Sequence, residues 1–324
     1  MLQPEPNYPE LSVLVVNYNT ADLIKPMIES LRAAASALGE FKIIFVDNAS
    51  RDQSLDVIRN FDPEIELITN SVNIGFGRAN NQCLDLAQGR YVLLLNTDAF
   101  VAPDTLTKTL AYMESHPRCG VLGVRLVGRD GVLQPSCRYF PTVFNTFLFA
   151  TGIGAWFPGV RAVDDMTWDH ASVRECDWVP GCFYLVRREV INQVGLFDPR
   201  FFLYFEEVDH CRAVKAAGWS VTYFPDTTVV HIGGESAKSD CDFAINSRQI
   251  SVLQIESELL YFRKHAGLAG LLGHLILTVV AAVILASKAL LKQRGFGHSS
   301  SQWHHVLQVF SLARRTGFGA RATR

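Results

Sequence analysis

The sequence predicts an α/β fold, with a mostly parallel sheet, helices on both faces of it, and a helical C-terminal segment of different character. Three observations support this prediction. Short, uniformly apolar runs alternate with helical patterns from residue 11 to 127, polar residues directly follow several of these runs, and an uncharged stretch of about twenty residues begins at Leu268. Runs that are apolar throughout are typical of strands covered on both faces, as in a parallel sheet.

Five apolar runs in the first part of the chain are predicted strands, at residues 11–16, 43–46, 65–69, 91–95 and 121–127. Helices are predicted between them, at residues 21–38, 51–60, 76–88 and 103–115. The capping-box pattern that starts at Ser50 is predicted to begin the second helix. Pro103 and Asp104 suit the first turn of the fourth helix, where a missing N–H costs nothing and a negative charge is favourable. Together these elements predict a doubly wound, Rossmann-like half that binds a nucleotide.

The second part of the chain is less regular. Residues 128–176 are rich in Gly, Pro and aromatic residues, and we expect them to form loops that cover an edge of the sheet and shape an acceptor site. Further elements are predicted as strands at 182–187 and 221–224 and as helices at 206–217 and 242–265. Gly218 is a usual residue for closing the first of these helices.

Composition limits the class of protein. A chain of 324 residues with 48% hydrophobic and 19% charged residues is globular, and can hold one large α/β domain with an appendage or two domains. The net charge of −2 gives no basic field, so we expect no nucleic-acid partner. Seven scattered Cys without a CxxC pattern indicate neither a disulfide framework nor a zinc site, and fit a reducing compartment. The first ten residues form an acidic, Pro-rich tail without the apolar region of a signal peptide, so the catalytic part is expected in the cytoplasm.

The C-terminal segment indicates membrane association. Residues 268–287 contain one His and no formal charge, long enough for a helix to cross a ~30 Å hydrocarbon core. A single span would place one of the two basic flanks outside, against the positive-inside tendency. A re-entrant or interfacial arrangement satisfies both observations, and a core helix of a soluble domain is the remaining alternative. The flanking basic residues are Arg263, Lys264, Lys288, Lys292 and Arg294, and an amphipathic stretch at 303–312 precedes Arg314, Arg315, Arg321 and Arg324.

Polar residues at the ends of predicted strands form the candidate site. Asn96 and Asp98 follow the strand at 91–95, and a carboxylate there suits a hard cation such as Mg²⁺ or Mn²⁺. Asn17 and Asn19 follow the first strand and Asp47 ends the second, where amides and a carboxylate can pair with a base or ribose. Ligands of open α/β sheets bind at the carboxyl ends of strands, so these residues are expected to converge.

The start of the third predicted helix is a further candidate. Its glycines, Gly75 among them, permit close approach of the backbone, and a helix N-terminus favours an anion. Arg78 can neutralise phosphate. Asn73 and Asn80 belong to the same motif.

These motifs occur in a recognisable order: VVNYN, VDNAS, NIGFGRAN, LLLNTD, WVPGCFYLVRRE, FDPRFFLYFEEVDHCRAVKAAGW and HIGG. The chain resembles a family 2 glycosyltransferase of the GT-A fold, and within that family the rhamnosyltransferase-like bacterial members. The resemblance covers about residues 10–262. It implies a nucleotide-sugar-binding half at 11–127, an acceptor-binding half at 128–262, and a membrane-associated tail at 263–324.

The resemblance also implies roles for particular residues. Asn17, Asn19 and Asp47 would hold the base and ribose of the nucleotide, with Arg78 nearby. Asn96 and Asp98 would occupy the metal-binding DxD triplet, in which Asn replaces the first Asp. His231 matches a late His that supplies a further metal ligand in relatives.

An acidic cluster follows the apolar, aromatic residues 201–205. The positive end of a helix dipole partly explains three carboxylates here, each favoured by ~0.3–1 kcal/mol at exposed sites. Apolar surroundings raise the pKa of a carboxyl and make a usable general base. The resemblance places the base at Glu207, with Glu206 and Asp209 orienting the acceptor or Arg212, although register alone separates these acids. Trp178 and Gly181 would lie beside the acceptor.

The implied reaction is metal-assisted direct displacement with inversion, in which a nucleotide-sugar donor glycosylates a cell-envelope glycan or a polyprenyl-diphosphate-linked sugar. By resemblance the donor is dTDP-L-rhamnose, while galactofuranose, glucose and N-acetylated sugars stay open. The expected location is the cytoplasmic face of the inner (plasma) membrane. A glycosidase is disfavoured by the nucleotide-binding constellation, and a dehydrogenase by the lack of G-x-G-x-x-G after the first strand. A non-catalytic binding module would have no reason to keep Asp98, Glu207 and His231 together.

Overall fold

A computed structural model describes residues 11–61, 65–233, 247–291 and 295–324. The predicted N-terminal tail, the beginning of the predicted helix at 242–265, Lys292 and Arg294 lie outside these ranges. The chain divides into two compact units. The first comprises residues up to 138, 166–198 and 207–245, and the second comprises 139–165, 199–206 and 246–324. The functional boundaries expected at 127 and 262 remain predictions.

A ten-stranded sheet forms the centre of the first unit within the described residues. Its path runs in the order β3-β2-β1-β4-β9-β6-β10-β5, with β7 beside β6 and β8 beside β10. The strands are β1 (Leu11–Asn17), β2 (Phe41–Asp47), β3 (Glu66–Thr69), β4 (Tyr91–Leu95), β5 (Ala99–Val101), β6 (Cys119–Val127), β7 (Leu133–Gln134), β8 (Arg174–Cys176), β9 (Phe183–Arg187) and β10 (Ser220–His231).

The first four strands of the path, β3, β2, β1 and β4, are mutually parallel, as the uniformly apolar runs predict. The interiors of β1, β2 and β4 are buried on both faces, whereas β3, at the end of the path, is half-buried and ends in an exposed residue. Strand β9 runs antiparallel to both β4 and β6, so the complete sheet is mixed. The α/β architecture is therefore confirmed, with its parallel part in the half predicted to bind nucleotide.

Nine α-helices lie in the described residues. They are α1 (Ala21–Ala35), α2 (Ser54–Phe61), α3 (Phe76–Gln82), α4 (Thr105–Ser115), α5 (Val143–Thr151), α6 (Arg188–Val194), α7 (Glu206–Ala216), α8 (Ser247–Leu291) and α9 (Gly295–Arg315). Helix α1 shows why the pattern is predictive, because Ile24, Ile28 and Leu31 recur at helical spacing and are fully buried against the sheet.

The predicted start of the second helix is wrong. Helix α2 begins at Ser54, whose N–H is 3.0 Å from Asp52 Oδ1, and not after a cap at Ser50. The hydroxyl of Ser50 instead accepts from the side-chain amide of Asn17 and the N–H of Asn19, each at 3.0 Å. Ser50 therefore belongs to the polar network at the strand ends, although it fits the sequence pattern of a helix cap.

Strand β10 is longer than the sequence indicates. Its predicted end at Phe224 precedes Pro225, which cannot donate a hydrogen bond to a neighbouring strand. The chain accommodates this proline by a register shift between Phe224 and Thr228, after which pairing with β6 resumes. The extension carries His231 into the sheet, where it pairs with Ala99 of the short strand β5.

The second unit is helical. Helix α5 begins with a capping box between Thr142 and Asn145. Helix α8 is two helices joined at Gly267, whose φ of 67° is left-handed and breaks the helical path. Thr323, near the C-terminus, donates its N–H and hydroxyl to the carboxylate of Glu256 in α8, at 2.6 and 2.7 Å.

Candidate active site

Asp98 and His231 lie side by side at the end of the sheet. Asp98 follows β4 and His231 ends β10, and their facing atoms, Oδ1 and Nε2, are 3.6 Å apart. Asp98 is 5% exposed, and its Oδ2 accepts the N–H of Gly233 at 3.1 Å. Burial lowers the pKa of His231 below its ordinary value, and the Asp98 carboxylate opposes that shift. The two residues predicted as metal ligands therefore come together from distant parts of the chain.

The pair fits a divalent cation that also has a phosphate-bearing ligand. A carboxylate and an imidazole nitrogen are ligands for Mn²⁺, whereas Mg²⁺ favours oxygen. No group of three or more His, Cys, Asp or Glu residues suitable for a metal occurs in the described part of the chain. Metals that act on nucleotides usually take further coordination positions from phosphates and water.

A buried polar network joins the ends of β1 and β2. The Asn17 amide donates to Asp47 Oδ1 at 2.8 Å, and the Asn17 carbonyl oxygen accepts from the Thr20 hydroxyl at 2.7 Å. Asp47 Oδ2 accepts the N–H of Ser50 at 3.0 Å. Thr20 also lies 2.8 Å from the hydroxyl of Thr97, which connects the network to the Asn96–Asp98 triplet. Asn17 is fully buried, so its side chain organises Asp47 from within the protein.

The loop before α3 is shaped by asparagines. Asn73 Oδ1 accepts from the N–H of Gly75 and from the Asn48 amide, both at 2.9 Å. Asn48 Oδ1 in turn accepts from Asn70 at 3.0 Å and from Ile74 N–H at 3.1 Å. Gly75 has a φ of 90°, a conformation that side chains disfavour, and it immediately precedes α3. The predicted glycine is therefore required by the backbone of this turn.

The other predicted donor-site residues have diverse surroundings. Asn19 has a left-handed φ of 53°, and its side-chain oxygen accepts the N–H of Arg51 at 2.7 Å. Arg78 is half-buried in α3. Asn80 is buried and donates to Phe76 O at 3.0 Å within the same helix, which gives it a structural contact. Asn96 is half-buried, and its N–H donates to Cys182 O at 3.1 Å.

Glu207 carries a buried and unsatisfied oxygen. Its Oε2 is inaccessible to solvent and has no hydrogen-bond partner among the described residues. Burial raises the pKa of Glu207, while the N–H groups at the start of α7 and the charge of Arg138 act in the opposite direction. A carboxylate with a raised pKa and an available oxygen is suited to accept a proton. Glu206 and Asp209, the alternative acids, are each 4% exposed.

Helix α7 is fixed to the sheet one turn after Glu207. His210 Nδ1 lies 2.8 Å from the Tyr184 hydroxyl of β9, and His210 Nε2 lies 3.0 Å from Gly195 O. Burial lowers the pKa of His210 to about 4, so the imidazole is neutral. A neutral ring donates through Nε2 and accepts through Nδ1, which satisfies both contacts. These contacts hold the helix that carries Glu207.

Arg138 contacts one of the residues predicted beside the acceptor, although no sequence pattern indicates it. Its guanidinium lies over the ring of Trp178, 4.0 Å from the centroid, and the two residues also pair through their backbones. Trp178 was predicted beside the acceptor, and it is 5% exposed. Gly181 is half-buried, and a Cβ there would lie at an ordinary 3.6 Å from the Phe76 ring. Packing alone does not therefore require glycine at this position.

Cys182 is influenced both by a predicted metal ligand and by the predicted base. Burial raises the pKa of its thiol, and the charges of Asp98 and Glu207 raise it further. Both carboxylates are therefore within electrostatic reach of one side chain. No sequence signal identified Cys182, since a single buried Cys is common in a core.

Similarity to known proteins agrees with this geometry. The model of "Glycosyl transferase family 2" matches residues 12–160. The N-acetylglucosaminyl-diphospho-decaprenol L-rhamnosyltransferase of Mycobacterium tuberculosis is 27% identical over 243 residues, which cover 71% of this chain and 78% of that protein. Rhamnosyltransferase WbbL of Escherichia coli K12 is 25% identical over 237 residues, which cover 70% of this chain and 85% of that protein.

Solved structures share the fold. The mannosyltransferase PcManGT from Pyrobaculum calidifontis, in complex with GDP-Man and Mn²⁺, superposes with a TM-score of 0.54 and 16% identity, covering 98% of this chain and 89% of that chain. Residues 1–349 of Staphylococcus aureus TarS give a TM-score of 0.50 and 15% identity, covering 95% and 92%. Sequence motifs, fold and relatives agree that the chain is a glycosyltransferase, whose residues 12–160 match the family 2 model and which is similar to the rhamnosyltransferases of that family.

Proposed function

We propose that the chain transfers L-rhamnose from dTDP-L-rhamnose to a polyprenyl-diphosphate-linked sugar, at the cytoplasmic face of the inner (plasma) membrane, with inversion of the anomeric configuration. The observation that carries the catalytic part is the position of Glu207, whose buried oxygen lacks a partner while its helix is fixed by His210. The rhamnosyltransferase names of two relatives support the donor sugar, and the decaprenol-linked substrate named for one supports the acceptor.

The donor would bind along the ends of β1, β2 and β4. Asp47 would accept hydrogen bonds from the base or ribose, and the N-terminus of α3 with Arg78 would face phosphate. Asp98 and His231 would hold Mn²⁺ or Mg²⁺, which supplies positive charge against the departing diphosphate. The Mn²⁺ complex of PcManGT supports this assignment of metal type.

The acceptor would lie between the base and the Trp178 turn. Glu207 would remove the proton of the attacking hydroxyl, and Arg138 would limit the rise of the Glu207 pKa and favour the ionised carboxylate. Base catalysis of this type typically contributes 10²–10⁴-fold. A single displacement needs no covalent sugar–enzyme intermediate.

The test uses full-length protein with a panel of donors. We expect dTDP-L-rhamnose with Mn²⁺ to raise the melting temperature more than UDP-N-acetylglucosamine or GDP-mannose, and to support transfer to a polyprenyl-diphosphate-linked N-acetylglucosamine. The second donor belongs in the panel because TarS, a poly(ribitol-phosphate) β-N-acetylglucosaminyltransferase, is 27% identical over 136 residues. If only another donor supports transfer, its sugar would replace rhamnose in the proposal. If the donor is hydrolysed without any acceptor-dependent transfer, the proposed acceptor is wrong.

A further inference from the structure

Exposed apolar side chains are concentrated in the second unit. Of the seventeen large apolar side chains that are exposed in the described chain, thirteen belong to this unit, although it is the smaller one. They are Phe144, Phe149, Trp156, Phe157, Leu268, Leu272, Ile276, Val280, Val283, Trp303, Leu307, Phe310 and Phe318. An excess of this kind on one unit marks an interaction surface.

Two stripes account for most of this surface. After Gly267, helix α8 exposes the first stripe, at residues 268, 272, 276, 280 and 283, while Leu271 and Leu275 on another face are buried. Helix α9 exposes the second stripe, Trp303, Leu307 and Phe310, and buries Val306 and Val309. Each stripe follows the helical repeat. Both helices therefore pack one face inside the unit and present a second apolar face outside it.

The charge of the C-terminal segment, residues 263–324, indicates which kind of partner covers these stripes. Residues 263–324 contain nine of the chain's thirty Lys and Arg and none of its thirty-two Asp and Glu. The segment has a formal charge of +9, and the preceding 262 residues have −11. Basic residues beside exposed apolar and aromatic side chains match an anionic bilayer, whose lipids attract each Lys or Arg by about 1 kcal/mol.

The packing of α8 favours a helix that lies on the bilayer. By length and composition alone, Val252–Ala289 could cross a membrane, and it is the one such helix in the described residues. Yet α5, α8 and α9 together line a cavity of about 430 Å³ that includes His274, Gln302 and His305. Lys288 of α8 also donates to Thr151 O of α5 at 2.8 Å. A spanning α8 would either lose these contacts or take polar groups into hydrocarbon at a cost of several kcal/mol.

We propose that the stripes of α8 and α9 insert into the interfacial layer of an anionic bilayer, so that the chain is attached to one leaflet and does not span it. The test is flotation of full-length protein with phosphatidylcholine vesicles, with or without phosphatidylglycerol. We expect binding only with the anionic lipid, and weaker binding as NaCl is raised from 50 to 500 mM. Leu307→Glu should weaken binding at least tenfold, whereas Val132→Glu in the first unit should not, because Val132 is similarly exposed (62% against 68%).

Donor binding separates this proposal from the catalytic one. Leu307→Glu should leave the nucleotide-sugar-induced rise in melting temperature unchanged, since the donor residues lie in the first unit. Resistance of wild type and Leu307→Glu to alkaline carbonate extraction would show a span and overturn the proposal. A dimer that Leu307→Glu converts to monomer, without vesicle binding by wild type, would show that a second copy covers the stripe.

A separate observation concerns the orientation of His231. Gln134 of β7 contacts this residue twice: its Nε2 donates to His231 O at 2.8 Å, and its Oε1 lies 2.9 Å from His231 Nδ1. A backbone carbonyl only accepts, which fixes the Gln134 amide with its nitrogen toward His231 O. The amide oxygen also only accepts, so Nδ1 must carry the hydrogen. The Nε2 lone pair is then left facing Asp98.

We infer that Gln134 is a positioning residue that holds His231 in the Nδ1–H tautomer and presents Nε2 to the divalent cation. The inference rests on the metal site of the proposed function. Partners that fix the tautomer of a metal-binding His typically change metal affinity by 10–100-fold when they are mutated. No sequence pattern predicts this role, because residues 128–176 show no regular periodicity.

Nitrogen NMR of ¹⁵N-His-labelled, metal-free protein tests the tautomer directly. In wild type, His231 should be the Nδ1–H tautomer. In Gln134→Met, His231 should become a mixture of tautomers. In Gln134→Glu, His231 should remain the Nδ1–H tautomer, because a carboxylate also accepts from Nδ1–H. Mn²⁺ affinity, measured by electron paramagnetic resonance with a nucleoside diphosphate present, should fall 10–100-fold only for Gln134→Met. An Nε2–H form in wild type, or unchanged tautomer and affinity in Gln134→Met, would overturn the role. Wild type that binds no Mn²⁺ would remove the metal site itself, even with the expected tautomer.

Discussion

The side-chain amide of Asn17 donates to the carboxylate of Asp47 at 2.8 Å, and this bond joins the carboxyl ends of β1 and β2. Both residues are buried. The register of the two strands places them directly opposite each other. Because the other Asp47 oxygen is held by Ser50 N–H, the carboxylate has a defined orientation before any donor arrives.

Asn17→Ala should therefore affect both stability and donor binding. The change leaves the buried Asp47 oxygen and the hydroxyls of Thr20 and Ser50 without their Asn17 contacts, and each buried polar group left unsatisfied costs about 1–3 kcal/mol. Denaturant titration should show this loss in the free energy of unfolding, and calorimetry should show weaker nucleotide binding. Ser36→Ala is the comparison, since the hydroxyl of Ser36 donates to the backbone oxygen of Ala33 at an exposed position outside the candidate site. Equal stability of Asn17→Ala and wild type would contradict the role of the network.

Asp98→Asn should remove metal-dependent transfer with little change in fold. The amide oxygen can still accept from Gly233 N–H, but it lacks the negative charge that attracts a divalent cation. We expect turnover to fall by about two orders of magnitude or more, because charge stabilisation by a bound metal is worth several kcal/mol. Initial rates against Mn²⁺ concentration, with circular dichroism for the fold, provide the measurement. His231→Ala should raise the Mn²⁺ requirement, and undiminished transfer by Asp98→Asn in the presence of a chelator would refute the site.

The parallel half of the sheet could be predicted because its signals are local. Strands buried on both faces are apolar throughout, and the polar residues that interrupt them, such as Asp47 and Asp98, mark their ends. Parallel pairing then brings these ends to one edge. The end of β10 could not be predicted in this way. Pro225 normally indicates the end of a strand, but here the strand continues after a register shift.

Site residues from the irregular segment could not be predicted, because their roles depend on long-range contacts. Gln134 contacts His231 across 97 positions of the chain, and Arg138 lies over Trp178 through a pairing outside the named strands. Neither residue type is unusual in a loop. Ser50 was misassigned for the related reason that a hydroxyl suited to capping a helix is equally suited to a polar network.

Glu207→Gln should separate chemistry from binding. The amide keeps the shape of the carboxylate but cannot accept the proton, so turnover should fall 10²–10⁴-fold. Donor affinity should change little, since the donor residues are at the ends of β1, β2 and β4. Turnover and donor affinity are measured together for Glu206→Gln, Glu207→Gln and Asp209→Asn. If Asp209→Asn loses turnover and Glu207→Gln retains most of it, the base is Asp209.

The acid limb of the pH–activity profile, where activity falls as the pH is lowered, should depend on the pKa of Glu207 and on the charge of Arg138. Burial raises the pKa of Glu207. Because Glu207 must be ionised to act as the base, enzyme activity should fall as the pH is lowered, and this fall should begin at a higher pH than for an ordinary carboxyl group. The positive charge of Arg138 favours the ionised form and holds this pKa down. Arg138→Gln should therefore move the acid limb to higher pH, while Arg138→Lys should restore it in part, because the charge is kept.

The measurement is kcat/KM against pH at saturating Mn²⁺, which follows groups of the free enzyme and reduces the contribution of metal binding. Arg138→Gln also removes the contact with the Trp178 ring, so KM can rise without any change in the position of the limb. The two effects are distinct, since loss of packing lowers activity at every pH, whereas loss of the charge shifts the midpoint. A limb that stays in place in Arg138→Gln would mean that another group controls it, and Asp209→Asn in the same assay would identify whether Asp209 is that group.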